Sequence, residues 1–215
     1  MGVMGPIKVM LVDDHAVVRM GFKLLLAACE DIEVIGEADS GEAAYQRYAE
    51  LKPDVIVMDL SMPGMGGIEA VRRLTARDKG VRILALSAHE DTAHPKRVLK
   101  AGATGYLSKR GAPEALIDAV RTVAAGRMYL DAEIAQKLAM QDVTGTQNPV
   151  EALSEREFEV FIHLARGQSV NQIAETLHLS TSTVGTHLYN VKQKLGASNQ
   201  AELTLIALRN GLIEA

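Results

Sequence analysis

Between Ile7 and Gly126, short apolar runs alternate with stretches of helical periodicity, and few folds accept that order. The β-like runs are residues 7–12, 32–38, 55–59, 82–87 and 105–108. Between them apolar residues return at helical spacing: Val17, Val18, Phe22, Leu24, Leu25 and Leu26 up to about residue 28, then Ile68, Val71 and Leu74, then Ala115, Leu116, Ala119, Val120 and Val123. Ser40 is placed to cap a helix that Pro53 ends. A helix over residues 92–101 carries Pro95 in its first turn and stops at Gly102. Five strands alternating with five helices predict an α/β fold, a doubly wound parallel sheet covered on both faces.

Right-handed crossovers bring every strand's C-terminal end to one edge of such a sheet. Ligands bind at that edge in open α/β sheets. It collects Asp13 and Asp14 after the first strand, Asp59 at the end of Val55–Asp59, Ser87 from the fourth and Lys109 after the fifth. Clustered carboxylates resist joint ionisation unless a cation sits among them. Oxygen ligands of this kind suit Mg²⁺. A cation, an ammonium and a hydroxyl together suit phosphoryl transfer, with Asp59 as the nucleophile. The bland alternatives are that Asp59 caps a turn, that Asp13 or Asp14 caps the helix after His15, and that Lys109 is a solvated surface lysine.

The bulk numbers permit this and exclude little. A chain of 215 residues fits one large domain or two ordinary ones, and 47% hydrophobic content can form a core. The net charge of −4 gives no general nucleic-acid signal. The single cysteine, Cys29, reads as a small core residue, in keeping with a reducing cytoplasm. No signal-peptide pattern opens the chain and no apolar run approaches about 18 residues, so no membrane span is expected. Residues 1–5 are set aside from the fold argument.

Residues 128–140 hold a short helical pattern with Ile134 and Leu138, and residues 141–152 are polar, with Gly145, Asn148 and Pro149. A linker over 128–152 therefore divides a first domain, 7–127, from a second, 153–215. The second is predicted to be all-α, with four short helices. Ser154 and Glu157 form a capping box for the first. A second over residues 171–177 and a third over 180–195 are joined by a tight turn at His178 and Leu179, as in a helix-turn-helix. The third turns Val184, Leu188, Val191 and Leu195 inward. Outward it shows Thr181, Ser182, Thr183, Thr186, His187, Tyr189, Asn190, Lys192 and Lys194, with no acidic residue. Such side chains contact phosphates and base edges of double-stranded DNA, although the same pattern also describes an ordinary polar helix face. From Val150 to Ala215 there are 5 Lys/Arg and 7 Asp/Glu, a net of −2, so DNA affinity would rest on a local patch and helix N-termini. A dimer would double the contacts.

Both halves resemble one known family. Val12-Asp13-Asp14-His15, Met58-Asp59-Leu60-Ser61-Met62-Pro63 with Gly67, Leu86-Ser87-Ala88 and Gly102 to Lys109 are similar to the flavodoxin-like receiver domain of bacterial response regulators. The resemblance implies phosphotransfer to Asp59 from the phosphohistidine of a sensor histidine kinase. It implies Mg²⁺ on Asp14, Asp59 and the backbone carbonyl of Ser61, with Asp13 holding metal-bound water and Ser87 and Lys109 on the phosphoryl oxygens. Tyr106 would be the aromatic that reorients with Ser87; its alternative is a surface tyrosine. Arg110 stands where many receivers carry proline. In the second half, Leu153 to Glu157, Gly167 to Ala174, Ser180 to Val184 and Lys194-Leu195-Gly196 resemble the LuxR-type helix-turn-helix of the NarL/FixJ regulators. Gly185 stands where many relatives carry a DNA-facing lysine, and costs the helix up to about 1 kcal/mol of propensity. His94-Pro95-Lys96-Arg97, Tyr106 to Lys109 and Glu133 to Lys137 are similar to the GacA/UvrY branch.

The resemblance implies a transcription regulator, homodimeric when phosphorylated and with no enzymatic turnover beyond its own phosphotransfer and slow aspartyl-phosphate hydrolysis. Two rivals remain. A haloacid-dehalogenase-like phosphatase would carry a second catalytic aspartate where this chain has Ser61. A DNA binder independent of phosphorylation would use the receiver only as a dimerisation scaffold.

Overall fold

The computed structural model describes residues 5–88, 91–144 and 149–213, with side chains left out over 142–144. Residues 5–88 with 95–132 form one compact unit; 133–144 and 149–213 make most of a second. Part of the polar stretch expected over 141–152, residues 145–148, lies outside the described residues, as do 214–215.

In the first unit β1 (Ile7–Val12), β2 (Ile32–Ala38), β3 (Val55–Asp59), β4 (Ile83–Ser87) and β5 (Gly105–Ser108) alternate with α1 (Ala16–Ala27), α2 (Gly41–Leu51), α3 (Gly67–Arg77), α4 (Ala93–Ala101) and α5 (Pro113–Ala124). A sixth strand, β6 (Tyr129–Leu130), precedes the short helical pattern that the sequence predicts within residues 128–140. It pairs parallel with β5, Gly105 opposite Tyr129, before α6 (Ala132–Thr144) begins. The order is β2-β1-β3-β4-β5-β6, every pair parallel. The chain leaves β1 toward one side for β2 and toward the other for β3, so the topological switch lies beside the carboxyl end of β1.

The central strands are apolar without alternation because helices cover both faces. Val55 through Asp59 and Ile83 through Ser87 are buried at every position. One face packs Val9, Leu11, Val57, Leu84 and Leu86 under Leu26 of α1 and Leu116, Val120 and Val123 of α5. Ser40 caps α2 by accepting from the Ala43 N–H. The glycine at the start of α3 is a packing requirement: a Cβ on Gly67 would run into the carbonyl of Asp59 and the backbone of Leu60. This close approach lets the loop after β3 fold back over the strand end.

The second unit holds a 3₁₀ turn (Pro149–Ala152) and α7 (Glu155–Ala165), α8 (Val170–Leu177), α9 (Thr181–Leu195) and α10 (Gln200–Arg209). Each helix has a side-chain cap. Ser154 with Glu157 and Ser169 with Gln172 form full capping boxes, Ser180 accepts from the Thr183 N–H, and Asn199 accepts from the Glu202 N–H. His178, at φ 53°, turns the chain from α8 into α9 in the left-handed region. Val184 and Val191 of α9 are fully buried, and Leu188 and Leu195 pack partly buried against the same core. Gln200 and Thr204 of α10 donate to the carbonyls of Leu164 and Ala165, satisfying the end of α7.

Candidate functional site

The residues picked for the sheet edge meet there. Asp13 follows β1, and its N–H continues the ladder to the Ala38 carbonyl at 3.1 Å. Its carboxylate accepts from the His15 N–H at 2.8 Å through Oδ1 and from Lys109 Nζ at 2.7 Å through Oδ2. Neither aspartate is the cap of α1; His15 holds that position without a side-chain bond. Asp59 accepts from the Ser61 N–H at 3.1 Å through Oδ1, while Lys109 Nζ lies 2.9 Å from Oδ2. Lys109 is held there by its own N–H, which donates to the Ser87 carbonyl at 2.8 Å. The peptide bond between Lys109 and Arg110 is trans. Ser87 is fully buried at the end of β4. Tyr106 is fully buried in β5, which removes the surface-tyrosine alternative.

Lys109 is therefore not a solvated lysine. Burial works against its ammonium, but Asp13 and Asp59 outweigh that and hold its pKa above the ordinary lysine value. Burial dominates at Asp59 and raises its carboxyl above the ordinary range, against the pull of Lys109 and the Ser61 N–H.

Carboxylate oxygens of Asp13, Asp14 and Asp59 and a ring nitrogen of His15 all lie within 4.8 Å of one another. Lys109 bridges two of these carboxylates, Asp13 and Asp59, while Asp14 lies beside His15. Two buried oxygens, Asp14 Oδ1 and Asp59 Oδ2, accept no properly directed hydrogen bond. Each nevertheless has a nitrogen 2.9 Å away, His15 Nδ1 and Lys109 Nζ. The proximity there is electrostatic and leaves each oxygen without a directed donor. An acidic, oxygen-rich nook with undirected acceptors fits a divalent cation.

On α9, Thr181, Ser182, Thr183, Thr186, Tyr189 and Lys194 are exposed, and Gly185, His187, Asn190 and Lys192 are half-buried. Tyr189 is 64% exposed. A Cβ on Gly185 would meet nothing within 4 Å, so no packing demands glycine there. Lys192 Nζ donates to the Ser198 carbonyl at 3.2 Å, and Lys194 Nζ to Glu157 Oε2 of α7 at 2.6 Å.

Residues 9–121 match the family model of the response regulator receiver domain, and residues 151–207 that of the bacterial regulatory proteins of the luxR family. The chain belongs to the response regulators. This response regulator is 41% identical to response regulator UvrY of Escherichia coli strain K12 over 211 residues, 97% of either chain. It is 40% identical to response regulator GacA of Pseudomonas syringae pv. syringae, over 97% of this chain and 99% of that one. Among solved structures it is similar to RcsB of Salmonella enterica serovar Typhimurium bound to promoter rprA in the presence of the phosphomimetic BeF3⁻. The TM-score is 0.71 at 26% identity, covering 94% of this chain and 98% of that one. No helix among the described residues is long and apolar enough to cross a membrane.

Lys194 is exposed, as its outward position predicts, and its Nζ is also tied to Glu157, 37 positions away in sequence. A pair so distant leaves no periodic signal.

Proposed function

We propose that Asp59 accepts a phosphoryl group from the phosphohistidine of a sensor histidine kinase, and that the phosphorylated chain binds double-stranded DNA through α9 as a homodimer to regulate transcription in the cytoplasm. The observation that carries this reading is the bridge of Lys109 across Asp13 and Asp59 at the sheet edge. Mg²⁺, held by Asp14, Asp59 and the Ser61 carbonyl with Asp13 on its bound water, would supply charge neutralisation for the incoming group. Asp59 Oδ2 attacks phosphorus, the P–N bond breaks, and its electron pair leaves with the donor imidazole. Lys109 and the Ser87 hydroxyl take the phosphoryl oxygens. The phosphoryl group, carrying about two negative charges, draws both toward position 59, and Tyr106 in β5 responds to the space Ser87 vacates. A population shift follows only if these contacts differ between the two states.

Ser61, where a haloacid-dehalogenase-like phosphatase would carry its second aspartate, supports a regulator without turnover beyond its own phosphotransfer and slow hydrolysis. The test is DNA affinity with and without a small phosphodonor, on a duplex enriched by the protein from a random-sequence pool. Tighter binding on phosphorylation is expected; equal affinity would favour the receiver as a constitutive scaffold.

A further inference from the structure

We infer that Lys194 is a positioning residue, one that holds the C-terminal half of α9 against α7 through Glu157 and does not serve as a phosphate contact. This rests on the reading that α9 is the DNA-facing helix. Glu157 is 5% exposed and sits at the first turn of α7. Its Oε2 accepts from the Ser154 N–H at 2.8 Å and from Lys194 Nζ at 2.6 Å. One carboxylate thus closes the start of α7 and clamps the last turn of α9. A buried carboxylate cannot be left without its cation cheaply, so the lysine is held in place. The Ser154 bond fixes the carboxylate in turn, so the clamp has a defined direction. Lys192 at the same end donates to the Ser198 carbonyl, closing the turn after α9. The face left for bases and phosphates is then the hydroxyl-rich front half: Thr181, Ser182, Thr186 and Tyr189.

The distinction is measurable because a lysine neutralising a phosphate contributes to the salt dependence of binding and a clamp does not. Binding of the full-length protein, treated with acetyl phosphate, is measured over a range of salt on the duplex it enriches from a random-sequence pool. Lys194→Met and Glu157→Gln are each expected to weaken binding, by up to about tenfold, with the double variant no weaker than the worse single one. The slope of log affinity against log salt stays at the wild-type value. The inference is overturned if Lys194→Met lowers that slope by about 0.9 while Glu157→Gln leaves binding unchanged. Should Lys194→Met fail to fold, Glu157→Gln/Lys194→Met, which leaves no buried charge, decides on its slope alone: unchanged supports the clamp, reduced by about 0.9 removes it. Tyr189→Ala tests the α9 reading separately. Weakened binding keeps it; undiminished binding removes it, and the clamp's role in DNA binding with it.

Discussion

Lys109 Nζ lies 2.7 Å from Asp13 Oδ2 and 2.9 Å from Asp59 Oδ2, one ammonium joining carboxylates that end adjacent parallel strands. The two acids come from positions 46 residues apart, and only the order β1-β3 brings them together. The raised pKa of Lys109 gives a signed prediction. Its stabilisation is fully present below the unfolded lysine value, about 10.4, and is lost as pH rises through the higher folded value. Lys109→Met should therefore cost about 3 kcal/mol at pH 7, read from urea unfolding, and should flatten the alkaline limb. An unchanged midpoint would mean that the bridge contributes nothing.

Asp59 has the opposite sign. Its carboxyl is raised by burial, so the folded state holds a proton more tightly than the unfolded chain. Stability then falls as pH rises from about 3.9 through the folded value, and the ionised group is a cost at neutral pH. Asp59→Asn is predicted to be at least as stable as wild type at pH 7, with the difference vanishing near pH 3. A less stable Asn variant at pH 7 contradicts that assignment of burial.

The undirected acceptors Asp14 Oδ1 and Asp59 Oδ2 predict stabilisation by Mg²⁺. At a hundredfold excess over Kd a ligand of the folded state adds about 2.7 kcal/mol. Thermal unfolding should show a rise with Mg²⁺ that Asp14→Asn diminishes. The same rise in Asp14→Asn would take Asp14 out of the ligand set.

Gly185 has a helical backbone and open space around it. Gly185→Ala should raise stability by about 0.5–1 kcal/mol, since alanine adds helix propensity and meets no neighbour. The check is the urea midpoint. Lower stability would show that the position needs glycine for a reason internal to the fold.

At Glu157 burial works against the charge, but Lys194 and the Ser154 bonds prevail and hold the carboxyl below the ordinary range. The contribution is present above the unfolded value, about 4.3, and lost as pH falls through the folded one. Hydrogen-exchange protection of α7 and α9 amides, measured relative to the intrinsic exchange rate at each pH, should fall below about pH 4.3 in wild type, and Glu157→Gln should show a shallower acid dependence. Identical acid profiles would remove Glu157 from the linkage.

Much of this was legible before the structure. Val55 to Met58 is the pattern of a doubly covered strand, and the residue after such a run lies at the sheet's carboxyl edge. Asp13, Asp59, Ser87 and Lys109 could thus be grouped from topology alone. The short β6 could not: Tyr129 and Leu130 are two residues, too few for a period, and they pair because Gly105 and its neighbours present an open edge. The caps at Ser169 and Asn199 are written in the chain as Ser-x-x-Gln and Asn-x-x-Glu. The Glu157–Lys194 contact depends on how α7 meets α9, which no local pattern encodes.

The central claim is that Asp59 is the group that becomes phosphorylated. The direct measurement is incorporation of label from a small phosphodonor in the presence of Mg²⁺, wild type against Asp59→Asn, with mapping of the modified residue by peptide mass. The account predicts one phosphoryl group per wild-type chain, on Asp59, and none in the variant. Label entering Asp59→Asn at the wild-type rate would contradict it.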